Sequence, residues 1–140
     1  MKPRLSVVTL GVRDLDRSLR FYRDGLGLTT EGIVGTEFEG GAVVFIHLAH
    51  GLILALWPLH ELARDANVAV ADDGPPRFSL GHNVGSRDEV DAVMAQARAA
   101  GATITAEAHD QVWGGYSGYF CDPDGHLWEV VWNPQFPVED

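Results

Sequence analysis

The segment WGGYSGYFCDPDGHLWEVVWNP, residues 113–134, carries the strongest structural signal in this chain. It holds two apolar, aromatic-rich runs, residues 116–121 and 126–132, and the tetrapeptide Asp-Pro-Asp-Gly at 122–125 lies between them. Proline sets φ for the second position of a turn, and glycine tolerates a positive φ at the end of that turn. The sequence therefore predicts a β-hairpin that reverses at this tetrapeptide.

Glu129 is a carboxylate in the middle of the apolar run HLWEVVWN. Successive side chains of a strand point to opposite faces, so Leu127, Glu129 and Val131 are expected to share one face. Burying an unpaired carboxylate costs free energy. We therefore expect Glu129 either to face water on a half-exposed strand or to work in a pocket, and periodicity does not decide between the two.

The composition is that of one globular domain. The chain has 140 residues, of which 46% are hydrophobic and 21% charged, and we predict a single domain over residues 1–140. Its net charge of −10 argues against a nucleic-acid partner, because a polyanion needs a basic surface. The acidity is compatible with a cationic ligand, but a role in solubility alone is the preferred interpretation.

Other features bear on location and redox chemistry. No apolar run approaches the ~20 residues needed to cross a bilayer, and no signal-peptide core is visible, so we predict a cytoplasmic protein without a membrane partner. Cys121 is the only cysteine, which leaves no intrachain disulfide and no cysteine-based zinc cluster.

The order of predicted elements is repeated. A strand at residues 5–12 precedes a helix capped by Asp14 and ended near Gly27, and a strand at 78–84 precedes a helix capped by Ser86 and ended at Gly101. Three strands follow each helix, near 29–34, 42–48 and 52–57 in the first half and at 102–107, 116–121 and 126–132 in the second.

This repeat predicts an α+β fold of two βαβββ modules, at about residues 4–58 and 77–134. The connection, about residues 59–76, is predicted to hold a short helix near 60–64 and to end in the sequence Asp-Asp-Gly-Pro-Pro at 72–76. Each module offers a four-stranded sheet with a helix on one face. Two such sheets curled toward each other would form a mixed sheet around a trough, with the helices outside, and a concave surface is the usual place for a ligand.

Two sequences at matching ends of the repeat, VTLGVRDLDRSLRFYRDGLGL and FCDPDGHLWEVVWNP, resemble the vicinal oxygen chelate superfamily. That family includes glyoxalase-type lyases, extradiol dioxygenases, fosfomycin-inactivating transferases and bleomycin-binding resistance proteins. The resemblance covers residues 5–134 and implies the glyoxalase/bleomycin resistance/dihydroxybiphenyl dioxygenase fold. It also implies a two-fold homodimer.

In metal-dependent members of this family, the first and last strand of each module supply the ligands of a divalent ion. Carried onto this chain, those positions fall on Val7, Ala55, Ser79 and Glu129. Only Glu129 is a competent ligand, whereas catalytic metal sites generally use about three protein ligands. We therefore predict no metal and no other cofactor. The alternative is a Zn, Fe, Mn or Ni ion held by a non-standard set that includes Glu129.

Aromatic side chains near the hairpin and in the first half provide flat apolar area with polar tips, which suits ligand binding. Some of these aromatics are instead expected in the core, with Trp128 and Trp132 as the leading core residues. The predicted ligand-binding residues are Phe45, Trp57, Ser79, Trp113, Tyr116, Tyr119 and Glu129.

Two functions are compatible with these residues. The first is metal-independent binding of a small organic molecule, cationic or aromatic, as in the bleomycin-binding relatives. The second is an enzyme of lyase, isomerase or dioxygenase type, in which Glu129 acts as a general base or as part of a non-standard metal site. We favour binding, because ligand positions without donor atoms are easier to reconcile with binding than with metal catalysis.

Overall fold

The structure of the chain is a computed structural model, and it describes residues 1–70, 74 and 76–139. The chain divides into two compact units, Met1–Gly74 and Pro75–Asp140. Among the described residues, none of the helices combines the length and the apolar character that a membrane crossing requires.

The first unit contains one four-stranded sheet and two helices. Its elements in chain order are β1 (Val7–Val12), α1 (Leu15–Leu19), β2 (Thr30–Val34), β3 (Val43–His47), β4 (Ile53–Pro58) and α2 (Leu59–Ala66). The strands lie in the order β1-β4-β3-β2, with β1 parallel to β4 and the other pairs antiparallel. Alternate residues of the edge strand β1 and the two central strands, such as Leu10, Leu56 and Val44, are buried on the face that α1 covers.

Helix α1 begins where the sequence predicts. The Asp14 side chain accepts a hydrogen bond from the Arg17 backbone N–H at 3.0 Å, as an N-cap does. The helix then continues as a π-helical segment over Arg20–Gly25, and the chain turns out of it at Gly27 with φ of 72°. This π-helical segment changes the spacing of apolar side chains only slightly, so it cannot be recognised from the sequence.

Helix α2 packs on the face of the first sheet that α1 leaves uncovered. A Cβ atom at Gly11 would lie 2.6 Å from Leu59 Cδ1, so glycine allows the helix to approach β1 closely. The helix is longer than the short one predicted near residues 60–64. Of the predicted Asp-Asp-Gly-Pro-Pro end of the connection, Asp72, Asp73 and Pro75 lie outside the described residues.

The second unit repeats the arrangement. Its elements are β5 (Leu80–Asn83), α3 (Arg87–Ala99), β6 (Thr103–Asp110), β7 (Tyr116–Cys121) and β8 (Leu127–Trp132). The strand order β5-β8-β7-β6 is that of the first sheet, and β5 is parallel to β8. The prediction of an α+β fold with two βαβββ modules is confirmed.

Helix α3 covers one face of the second sheet. The Ser86 hydroxyl accepts from the Glu89 backbone N–H at 3.1 Å, and the Glu89 carboxylate accepts from the Gly85 N–H at 2.8 Å, which is a reciprocal capping arrangement. Its buried face consists of Val90, Met94 and Ala97. The predicted cap and apolar spacing are both present.

The β7–β8 hairpin reverses at the predicted tetrapeptide. The Gly125 N–H donates to the Asp122 carbonyl at 3.0 Å, and Gly125 has φ of 86°, which favours glycine. The buried Asp122 carboxylate accepts from the Asp124 and His126 backbone N–H groups at 2.9 and 2.8 Å, and from His126 Nδ1 at 2.8 Å. These bonds fix the register in which Tyr119 lies opposite Glu129.

Candidate functional site

The two faces of the second sheet differ in what covers them. On β7, a Cβ atom at Gly118 would lie 2.9 Å from Met94 Cε, so this side of the strand packs against α3. Gly118 lies opposite Val130, whose side chain is fully buried. Because side chains alternate along β8, Glu129 lies on the face turned away from α3. The carboxylate is half-buried there.

Tyr119 holds this carboxylate from the neighbouring strand. Its hydroxyl donates a hydrogen bond to Glu129 Oε2 at 2.9 Å. On the other side of Glu129 the opposing residue is Gly81 of β5, where an added Cβ would meet only Asn83 Oδ1, at 3.8 Å. Tyr119 therefore fixes one oxygen of Glu129, and the neighbouring position on β5, Gly81, has no side chain.

Burial raises the pKa of Tyr119 above its ordinary value, and the hydrogen bond to Glu129 and the negative charge of that carboxylate raise the pKa further. Ionising the phenol would place a second negative charge beside Glu129. Tyr119 therefore stays protonated at neutral pH and acts as a hydrogen-bond donor.

A shallow depression of about 450 Å³, open to solvent and called the 450 Å³ cavity below, lies beside Tyr119. Ser79, which precedes β5, and Tyr119 both line it, together with Leu127 at the start of β8. The cavity also includes Arg77, Phe78 and Thr105. The structure thus brings together three of the predicted ligand-binding residues. Ser79 and Tyr119 line the cavity, and Glu129 is hydrogen-bonded to Tyr119.

Tyr116 was predicted as a ligand-binding residue, and the structure places it elsewhere. Its hydroxyl donates to Asp91 Oδ1 of α3 at 2.7 Å, and the Arg87 guanidinium lies 5.5 Å from its ring centroid. Tyr116 and Tyr119 are three residues apart in one strand, so their side chains point to opposite faces. Tyr116 therefore lies on the face that packs on α3, apart from Tyr119, and its role in ligand binding stays a prediction.

Trp113 lies in the turn between β6 and β7. Its ring rests on Gly115, where a side chain would collide with it, and its exposed fraction is 49%. The Gln111 side chain in the same turn donates to the buried Ser117 hydroxyl at 2.8 Å. The turn is thus held by defined contacts, and Trp113 does not line the 450 Å³ cavity among its described residues.

Phe45 and Trp57 lie in the first unit. Phe45 of β3 is opposite Ala55 and lines a narrow cleft of about 40 Å³. The Trp57 indole N–H donates to the Gly40 carbonyl at 3.0 Å, and the ring lines a different cavity of about 330 Å³ that also includes Glu61. A single site shared by Phe45, Trp57 and Glu129 stays a prediction.

The positions that correspond to the family's metal ligands are Val7, Ala55, Ser79 and Glu129, and their side chains decide whether a metal ion could bind. Val7 and Ala55 lie on the same face of the first sheet, since Thr9 lies opposite Ala55, and neither side chain has a donor atom. Over residues 1–70, 74 and 76–139, no group of three or more His, Cys, Asp or Glu side chains is placed to hold a metal ion. The donors that a divalent ion requires are not supplied by these residues, and we derive no chemistry through a metal.

Sequence reasoning did not identify Arg77, Gly81 or Thr105. Gly81 could have been found, because β5 and β8 are parallel partners in the repeat and counting places it opposite Glu129. Arg77 precedes β5, where no strand period indicates the direction of a side chain. Thr105 lies within β6 near an irregularity in pairing, where alternation fails as a guide.

Comparisons with known proteins agree with this architecture. A solved structure of a glyoxalase-related enzyme from Fulvimarina pelagi is 36% identical, covers 98% of this chain and 93% of its own, and superposes with a TM-score of 0.84. A lactoylglutathione lyase from Agrobacterium tumefaciens is 25% identical over 99% of this chain and 100% of its own, with a TM-score of 0.69. A glyoxalase/bleomycin resistance protein/dioxygenase family enzyme from Burkholderia phytofirmans, at 19% identity over 91% and 96% of the two chains, has a TM-score of 0.74 and shows the fold alone.

The comparison with curated proteins finds no match to this chain. The family model described as Glyoxalase/Bleomycin resistance protein/Dioxygenase superfamily matches residues 4–130, which is most of the sequence. This match runs from the first module into β8 of the second and includes Glu129. The chain therefore belongs to the Glyoxalase/Bleomycin resistance protein/Dioxygenase superfamily.

Proposed function

We propose that this protein binds a small organic molecule on the face of its second sheet that is turned away from α3, without the metal that many relatives use. The observation that carries the proposal is the Tyr119–Glu129 pair beside a cavity of about 450 Å³. Ser79 and Tyr119 would contact the ligand directly.

The ligand's polar end is expected to donate hydrogen bonds to Glu129. Tyr119 occupies Oε2 of the carboxylate, and the side toward Gly81 has room for a ligand group. A carboxylate accepts only, so an ammonium, amidinium or hydroxyl group is a suitable partner. The net charge of −10 attracts a cationic ligand group and repels a nucleic acid.

Native mass spectrometry of the freshly purified protein, with metal analysis of the same sample, tests this proposal. We expect a small organic molecule to be retained by the unchanged protein and lost from Glu129→Gln, without a stoichiometric metal. Tyr119→Phe removes one donor and should weaken retention less than Glu129→Gln. A stoichiometric divalent ion that disappears in Glu129→Ala would refute metal-independent binding.

A second candidate function is catalysis of lyase, isomerase or dioxygenase type with Glu129 as the general base. It is favoured by one observation, namely that the Tyr119 bond orients the carboxylate through Oε2 and leaves Oε1 to accept a proton from a bound molecule. The metal-assisted version would add Zn, Fe, Mn or Ni at a non-standard set that includes Glu129. Turnover that survives chelation and disappears in Glu129→Gln would support the general-base version.

We also propose that the protein is cytoplasmic and forms a homodimer. Its lone thiol, Cys121, suits a reducing compartment. Closed two-fold dimers are the commonest assemblies of soluble proteins, and the first sheet exposes apolar side chains that a second copy would cover.

A further inference from the structure

We infer that the molecule bound in the 450 Å³ cavity carries an oxyanion group, a carboxylate or a phosphate, that pairs with Arg77. This inference rests on the proposed function and names the chemical class of its ligand. Arg77 lines the cavity together with Tyr119. It is the cavity's one cationic side chain among the described residues that line it.

Arg77 differs from the other basic residues of its unit in having no partner among the residues that the structure describes. Arg87 forms an ion pair with Asp110, and Arg98 forms one with Glu107. Arg77 makes no ion pair or hydrogen bond with any residue that the structure describes. The chain has 20 acidic and 10 basic residues, so carboxylates are abundant, yet the exposed Arg77 guanidinium pairs with none that the structure describes and lines the cavity. Its five donors suit bidentate binding of a carboxylate or phosphate.

Glu129 and Arg77 carry opposite charges, and this difference fixes the orientation of the ligand. Glu129 would repel an oxyanion placed there, whereas Arg77 attracts one. The lining of the cavity also includes the apolar side chains of Phe78 and Leu127. The ligand class is therefore an organic acid with an apolar middle and a hydrogen-bond donor or cationic group at its other end.

Titration of the ¹⁵N-labelled protein with three probes tests this inference. The probes are phenylacetate, its neutral counterpart phenylacetamide, and the cation phenethylamine. We expect phenylacetate to bind about tenfold more tightly than phenylacetamide, since a charge-assisted contact replaces a neutral one. The titrations with phenylacetate and with phenylacetamide should both shift the amide signals of Ser79, Thr105 and Tyr119.

Variants at Arg77 identify the group that makes the difference. Arg77→Gln should abolish the advantage of phenylacetate over phenylacetamide, and Arg77→Lys should keep only part of it, because the charge remains but the bidentate donor geometry is lost. Arg98→Gln is the matched control, since Arg98 does not line the cavity, and it should change neither affinity. The amide spectrum of each variant reports whether it is folded.

The outcomes separate the inference from the proposed function. If phenylacetate binds no more tightly than phenylacetamide, or if Arg77→Gln leaves its advantage intact, the oxyanion inference is overturned. Neutral or cationic probes that still shift the cavity amides, and lose affinity in Glu129→Gln, would leave the proposed function standing. If none of the three probes shifts those amides, the proposed binding site and the inference both fail.

Discussion

At the scale of single residues, the site depends on a phenol that remains neutral beside a carboxylate. Tyr119 donates to Glu129 from the adjacent strand, and burial together with that carboxylate raises the Tyr119 pKa. A neutral donor stabilises the carboxylate without cancelling its charge. Glu129 can therefore still attract a donor or a cation from the ligand.

The alkaline titration of Tyr119 is the first prediction. Its folded pKa lies above the ordinary value of about 10, so its contribution to stability is complete below pH ~10 and is lost as the pH rises through the folded value. We expect Glu129→Gln to lower the Tyr119 pKa, because the neighbouring negative charge is removed. The near-ultraviolet absorbance of phenolate measures the transition, and the difference from Tyr119→Phe assigns it.

Tyr116 provides the control for this titration. Its pKa is also raised, first by the hydrogen bond to Asp91, and it lies on the α3 face. Glu129→Gln should leave the Tyr116 transition unchanged, and Asp91→Asn should lower it. A Tyr119 transition that is the same in Glu129→Gln and in the unchanged protein would contradict the coupling.

The sequence predicted some of these residues for sound reasons. Glu129 was recognisable because a carboxylate in an apolar strand is costly to bury unpaired. Tyr119 was predicted only as an aromatic residue near the hairpin, and its pairing with Glu129 was not predicted. The separation of Tyr116 from Tyr119 was not predicted, because aromatic character was given more weight than strand parity. Arg77 could not be predicted, because its role depends on the cavity formed by residues distant in the sequence.

At the scale of elements, the β7–β8 hairpin depends on Asp122. Its buried carboxylate accepts three hydrogen bonds, two from backbone N–H groups and one from the His126 ring. We predict that Asp122→Ala lowers the free energy of unfolding by about 3 kcal/mol, because buried donors lose their acceptor. Urea unfolding measures the change.

Asp122→Asn is the matched variant for this prediction. An amide keeps the side-chain shape and one acceptor oxygen, but it loses the charge that strengthens the bonds. We expect a loss between that of Asp122→Ala and zero. Equal unfolding midpoints for all three proteins would show that the turn does not depend on this carboxylate.

Two strand glycines of the second sheet give a matched pair of substitutions. Gly118→Ala would place a Cβ 2.9 Å from Met94 Cε and 3.0 Å from the Ala108 backbone nitrogen, and backbone cannot yield easily. We predict a loss of about 1–3 kcal/mol in the free energy of unfolding. Gly81→Ala meets nothing closer than 3.8 Å and should change stability by no more than about 0.5 kcal/mol.

Thermal and urea unfolding of the two variants provide the measurement. The comparison is controlled, because both glycines lie in strands of the same sheet and neither has a positive φ. A larger loss for Gly81→Ala than for Gly118→Ala would contradict the assignment of the Gly118 side to α3. Gly81→Ala also narrows the open side of Glu129, so it should weaken probe binding while stability is kept.

The elements themselves were largely predictable. Asp14 and Ser86 begin their helices as caps, and Gly125 ends the hairpin turn, because these residues satisfy or permit backbone geometry locally. The full length of α2 was not predictable, since its stability comes from packing on Gly11 of β1.

At the scale of the whole molecule, the duplicated order of elements predicted the architecture. The two sheets have the same strand order because each module places its helix and its strands in the same sequence. The repeat predicted the function less well than the architecture, because the two modules differ in the surfaces that could bind a ligand. The first carries α2 against its second face, whereas the second presents Glu129 and Tyr119 beside a cavity.

The apolar surface of the first sheet leads to the last prediction. Val7 and Phe45 are 43% and 40% exposed on the face turned away from α1, and Ile53 lies on that face opposite Val7. Apolar patches that span several strands mark interaction surfaces. We expect sedimentation at twice the 15.2 kDa chain mass, and Phe45→Glu should shift the protein toward the mass of a single chain because a charge would enter the contact.

Phe136→Glu is the control for this substitution. Phe136 is also exposed, but it follows the last strand and lies outside the sheet, so its charged variant should sediment like the unchanged protein. A single-chain mass for the unchanged protein at every concentration would refute the homodimer. An unaltered dimer in Phe45→Glu would instead place the contact on another surface, because a buried unpaired carboxylate at the interface is strongly destabilising.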